Sequence, residues 1–130
     1  MIIEKGEKFE ISFDEEDEIC RLKVIGNQSE KDANEMFEAG YKLLDFLKSK
    51  YGDDVKIYIL NDLSRAGIID KKAKLINVSL IKNMPVGKVA ILGAVGFRRI
   101  FVNFIYKLSG FKNVQFFDHE DDAVAWLKEK

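Results

Sequence analysis

The chain predicts a single α/β domain: one mixed, mainly parallel sheet with an amino-terminal antiparallel hairpin and four helices. Three observations carry this. Residues 55–60 and 86–92 are short, β-rich and almost wholly apolar, as strands covered on both faces should be. Amphipathic helical stretches alternate with such runs, which implies parallel strands joined by right-handed crossovers. The 130 residues are 47% apolar and 33% charged with one proline, which suits one domain over residues 1–130 and excludes collagen-like, mucin-like and disordered classes.

Taken in order, Phe9, Ile11 and Phe13 alternate with Lys8, Glu10 and Ser12, the period of a strand with one solvated face. The acidic run Asp14-Glu15-Glu16-Asp17 supplies a turn. It lacks the spaced ligands and glycine of a calcium loop. A second strand follows over residues 18–25, with Cys20, Leu22 and Val24 on one side, and Gly26-Asn27 closes the hairpin.

Ser29, with Asp32 three residues on, opens the first helix in a capping-box arrangement. Ala33, Met36, Phe37, Gly40, Leu44 and Leu47 form its apolar stripe, widened by Leu43, and Tyr51-Gly52 stops it. Gly40 costs about 1 kcal/mol relative to alanine, and a close approach of the helix to a sheet accounts for it. After the strand at 55–60, residues 61–67 read as a polar loop. Asp70 caps a second helix with Ala73, Ile76, Leu80 and Met84 on one stripe, ended by Pro85.

The strand at 86–92 leads through Gly93-Ala94-Val95-Gly96 into a third helix over 97–109. Its core stripe is predicted to be Phe97, Phe101, Phe104 and Leu108, broadened by Ile100 and Ile105. Val102 and Tyr106 are left on the polar side as a small docking patch near Arg98 and Arg99. Val114 to Phe117 makes a last short strand. Asp118 then caps a final helix with Ala123, Trp126 and Leu127 inward and Glu120, Asp121 and Asp122 in its first turn.

Twenty-one Lys plus Arg against 22 Asp plus Glu give a net charge of −1, so no global positive field exists to hold nucleic acid. One cysteine and one histidine build neither a disulfide nor a cysteine/histidine zinc site, and no cofactor is expected. Cys20 reads as an inert core thiol. Charges at the amino terminus and the lack of a ~20-residue apolar span set a soluble cytoplasmic protein as the expectation.

Ligands in open α/β sheets bind beyond the carboxyl ends of the strands, which singles out two segments. The first holds Asp62, Ser64, Arg65 and Gly67, continuing to Asp70 and Lys71 at the start of the second helix. The second holds Gly93 and Gly96, followed by Arg98 and Arg99. Glycines before a helix start, with guanidiniums beside them, are the elements of an anion site. The plainer reading is a tight turn with solvated arginines. Asp62 and Ser64 are expected to satisfy nearby backbone groups as Asx and Ser/Thr turns do. A Ser64 nucleophile would need His119, the only histidine, and no motif joins them.

Several strings carry a resemblance. Ile59-Leu60-Asn61-Asp62-Leu63-Ser64-Arg65-Ala66-Gly67 is similar to the strand and Asp-Leu-Ser loop of STAS-type domains, and Gly87-Lys88-Val89-Ala90-Ile91-Leu92-Gly93 resembles their next core strand. Val114-Gln115-Phe116-Phe117-Asp118 with Ala123-Val124-Ala125-Trp126-Leu127 looks like the carboxyl-terminal strand and helix of the SpoIIAA-like group, which is described together with the CRAL-TRIO lipid-binding fold. The resemblance implies a non-enzymatic regulatory or protein-interaction module. Anti-sigma-factor antagonists of this fold switch by phosphorylation of a serine after an aspartate at a helix start. Here Ile69-Asp70 is followed by Lys71 and Lys72, so that serine is missing.

The expected partner is therefore a protein, met on the face formed by residues 62–67, the second helix start and Arg98/Arg99. A homodimer through the hairpin edge is open as well, because edge strands carry unpaired backbone groups. The alternative is a small carrier or sensor of a lipid-like or apolar ligand, which requires a pocket of several hundred cubic ångströms. The preferred account instead expects apolar side chains to fill the interior.

Overall fold

The computed structural model describes residues 1–129. Its elements are β1 (Ile2–Lys5), β2 (Phe9–Asp14), β3 (Ile19–Gln28), α1 (Glu30–Tyr51), β4 (Ile57–Ile69), α2 (Lys71–Asn83), β5 (Val86–Leu92), α3 (Phe97–Ser109), β6 (Val114–Phe117) and α4 (Glu120–Lys128). They form one six-stranded sheet in the order β1-β2-β3-β4-β5-β6. The first two pairings are antiparallel and the last three parallel. The predicted α/β architecture is therefore present, with Val86–Leu92 parallel to β4 through Ile59↔Val89 and Leu60↔Ala90. The main core lies between the sheet and the first three helices. A smaller one lies under α4 on the opposite face, where Ile19, Leu60 and Ala90 meet Ala123 and Leu127.

Local chemistry explains most boundaries. At the start of α1, Ser29 and Asp32 exchange hydrogen bonds as a capping box, and the Ser29 backbone N–H holds the Asp32 carboxyl below its ordinary pKa. Asp70 Oδ1 accepts from the Ala73 N–H at 2.8 Å and starts α2. Asp14 Oδ1 accepts from the N–H groups of Glu16 and Asp17, closing the acidic turn.

Four expectations need correction. An unforeseen strand, β1, pairs with β2 and takes the sheet edge. Its four residues are too few to establish an alternation. Second, residues 61–67 are not a loop, because β4 continues to Ile69 by pairing with β3 (Ile25↔Arg65, Gly26↔Ala66, Gln28↔Ile69) across two register shifts. Its partner β5 stops at Leu92, opposite Asp62. The extension thus has one neighbouring strand, β3, and no strand on its other side. Third, Gly40 faces not the sheet but α2: a β-carbon there would meet Leu80 Cδ1 at 3.4 Å. Fourth, α4 is capped at His119 with no side-chain bond, one residue later than the predicted Asp118.

Gly93 binds the strand ends together. Its φ is +73°, and a β-carbon would lie 2.5 Å from the Ser64 backbone nitrogen. Gly96 shares a positive φ of +59° but has nothing within 4 Å of that position. Gly93→Ala is expected to lower unfolding stability by roughly 2–3 kcal/mol, combining backbone strain with overlap, and Gly96→Ala by about 1 kcal/mol from strain alone. Urea denaturation of the two variants checks the order. Equal midpoints would show that the contact with Ser64 is relieved at no cost.

Candidate functional site

The two strand-end segments do come together. Gly93 abuts Ser64, and Arg98 on α3 donates from Nε to the Ala66 carbonyl at 2.7 Å. Asp62 Oδ1 accepts from the Ser64 N–H at 3.0 Å and from its hydroxyl at 2.7 Å, the local satisfaction expected of an Asx turn. Asp62 and Ser64 are thus paired with each other. His119 opens α4 after Phe117, which lies two strands from Asp62 in register, and among the described residues no hydrogen bond joins it to Ser64. Gly67 packs on Asn27, whose Oδ1 accepts from the Ile68 N–H. Arg65 and Lys71 are exposed, on β4 and at the start of α2.

Of the two arginines, Arg98 departs from the solvated reading and the exposed Arg99 keeps to it. Arg98 is half-buried and used as a staple between α3 and β4, while the Arg99 guanidinium lies 4.2 Å over the Phe116 ring. The backbone N–H groups of both residues already bond the Val95 and Gly96 carbonyls. This leaves less of an anion seat than the glycine pattern promised.

The largest departure concerns the rotation of α3. Val102, Ile105 and Tyr106, of which Val102 and Tyr106 were predicted to face outward, turn into the core. Phe97 (47% exposed), Ile100 (69%), Phe104 (48%) and Leu108 (48%) turn to solvent, with Val95 beside them. Eight of the helix's 13 residues are apolar or aromatic, so periodicity marks more than one stripe. Among the three helices on this face α3 is outermost, flanked by α2 alone, and only a narrow stripe can be covered. Lys74 of α2 sits 4.3 Å over Phe101 and 5.6 Å over Phe104. A signal for this face was present in the sequence: residues 71–117 contain seven Lys, two Arg and no Asp or Glu, in a chain whose net charge is −1. Of these cations Lys88 points away, to carbonyls of Trp126 and Glu129 near the opposite face.

The interior also departs from the filled core expected. A cavity of about 130 Å³ lies between the sheet and α1, α2 and α3, bordered by Met36, Leu80, Val102 and Tyr106 among others. It is smaller than the several hundred cubic ångströms that a lipid carrier requires. On its α3 side it is lined by Val102, Ile105 and Tyr106, while Phe97 and Phe104 stand outside. Burial pushes the Tyr106 phenol above its ordinary pKa, partly offset by a hydrogen bond with the Asn61 side chain. Burial alone pushes the Cys20 thiol, on the cavity wall, up to about 12. Among the described residues no cluster of His, Cys, Asp or Glu is arranged to hold a metal, and no helix is long and apolar enough to cross a membrane.

A family model described as SpoIIAA-like matches residues 19–128. The chain belongs to the SpoIIAA-like family. The SpoIIAA-like assignment agrees with a solved structure, that of an uncharacterized protein of the DUF3478 family with a SpoIIAA-like fold from Shewanella loihica PV-4. The two share 18% identity over 95% of this chain and 97% of that one, with a TM-score of 0.65. At that identity the likeness is one of fold. No curated protein matches the chain.

For this SpoIIAA-like domain the buried thiol has a consequence in base. The folded state keeps Cys20 protonated up to about pH 12, whereas the unfolded thiol ionises near 9.0. Its contribution to stability is whole below pH 9 and falls as pH rises toward 12, by on the order of a few kcal/mol in all. The difference in unfolding free energy between wild type and Cys20→Ala should therefore shrink across that window. A difference that is constant from pH 8 to 12 would show the thiol to be ionisable in place.

Proposed function

We propose that this SpoIIAA-like domain is a non-enzymatic interaction module that docks an acidic protein partner on the outer face of α3 and the adjoining part of α2. The observation that carries the reading is the solvent-facing stripe Phe97, Ile100, Phe104 and Leu108. A contiguous apolar row that stays about half or more exposed on a helix already packed leaves much apolar surface in water, and burial of such a row is what drives association. Lys71, Lys74, Arg99 and Lys107 lie on the same two helices, without any acid between them. That rim favours a negatively charged partner and steers its approach. A two-fold dimer built on the same face would set these cations against one another, which speaks for a different protein.

The pairing of Ser64 with Asp62, together with the occupation of the positions after Asp70 by Lys71 and Lys72, supports a module without the family's serine switch. Affinity in this reading is set by partner composition rather than by phosphorylation at the α2 start.

Two substitutions and a cross-linker test it. Ile100→Glu with Phe104→Glu should leave the melting temperature within a few degrees of wild type, because both side chains already face water. A photoreactive amino acid at Leu108 should yield a discrete protein adduct in cells, and the double substitution should remove it at least tenfold. A lipid-only adduct would replace the protein partner by a membrane surface, and an unchanged adduct in the double variant would remove this face from consideration.

A further inference from the structure

The cavity beneath α3 has a chemical polarity that its apolar lining does not explain. Gln28 is only 2% exposed, yet its Oε1 has no hydrogen-bond partner, and the same holds for the buried Oδ1 of Asn61. Both residues line the cavity, as does Tyr106. The Gln28 amide is held in one orientation, since its Nε2 donates to the carbonyls of Lys8 and Ile25 at 3.2 and 3.4 Å. The atom left over is therefore an acceptor. A buried acceptor without a partner costs about 1–3 kcal/mol, and native proteins rarely leave two of them on one wall.

We propose that this cavity is a binding site for a small, uncharged, largely apolar molecule carrying a hydroxyl or N–H donor, of phenol-to-indole size. The volume sets the size, because an apolar cavity of roughly 150 Å³ accommodates benzene. The polar atoms set the chemistry: Asn61 Oδ1, beside Tyr106, takes the donor, Gln28 Oε1 lies six positions along β3 from Leu22, the register partner of Asn61, and both repel an anion. Ionised side chains do not enter; the one charged residue on the wall, Arg21, turns its guanidinium to Glu120 on α4 at 3.0 Å. Apolar side chains from α1, from α2 and from the residue that caps α2, namely Met36, Leu80 and Met84, cover the apolar body. The site stands apart from the outer face of α3 and does not depend on how that face is used.

The test uses the full chain with p-cresol and its isostere lacking the hydroxyl, toluene. In wild type, p-cresol is expected to raise the melting temperature and to shift the NMR signals of the Met36, Leu80 and Val102 methyls. Toluene should bind about tenfold more weakly, the worth of roughly one buried hydrogen bond. Asn61→Leu should bring the two probes to within twofold of each other. Cys20→Leu, which puts bulk into the cavity and leaves both acceptors in place, should abolish the methyl shifts if the folded spectrum is retained. Should Asn61→Leu not fold, the wild-type ratio and the filled variant still decide. Equal affinity for the two probes would overturn the proposal. So would methyl shifts that persist in Cys20→Leu, or millimolar p-cresol that leaves the spectrum unchanged with water alone at Gln28 and Asn61.

Discussion

The hydrogen bond from Arg98 to the Ala66 carbonyl, with Lys74 stacked on Phe101, holds α3 at one rotation about its axis, and much of the molecule's character follows from that angle. A helix with apolar side chains on most of its circumference gains similar burial from several orientations. Directional contacts then select among them. With Arg98 tied to β4, Val102 and Ile105 point at the sheet, and the bulky Phe97, Phe104 and Leu108 have nowhere to go but outward. The exterior stripe and the inward placement of Val102, Ile105 and Tyr106 are two results of one rotation.

Most of the fold could be read from residue order because its determinants are local. The Ser29/Asp32 box, the Asp70 cap, the alternation in β2 and the apolar runs of β5 and β6 each depend on neighbours within a few residues. The misreadings involve contacts distant in sequence. Polar residues 61–67 look like a loop until β3 is known to lie beside them. Gly40 suggests a nearby sheet until Leu80 is known to press on it. The face of α3 was invisible to periodicity since the choice depends on Ala66 and Lys74, 32 and 27 positions away from their α3 partners by count in the chain.

The candidate site was legible in outline and misassigned in detail. Placing Asp62, Ser64, Gly93 and Arg98 near one another required only the rule that the carboxyl ends of parallel strands share an edge. Their roles required atoms. Asp62 and Ser64 satisfy each other, Gly93 is a spacer that lets two strand ends touch, and Arg98 is structural. The orphaned acceptors of Gln28 and Asn61 have no signature in a linear string, because an amide on a strand reads as an exposed residue until a helix covers it.

The acid-free stretch from 71 to 117 has one more effect. A chain of net charge −1 that gathers nine cations in one contiguous third of its length leaves an excess of carboxylates on the rest, including α1, the β2–β3 turn and α4. Charge is therefore spread unevenly along the chain despite its near-neutral total, with Lys71, Lys74, Arg99 and Lys107 on α2 and α3. For the acidic partner proposed above, these cations favour an approach toward α2 and α3. Encounter rates with such a partner should then fall with ionic strength, as screening confines the attraction to about 10 Å at 0.1 M salt.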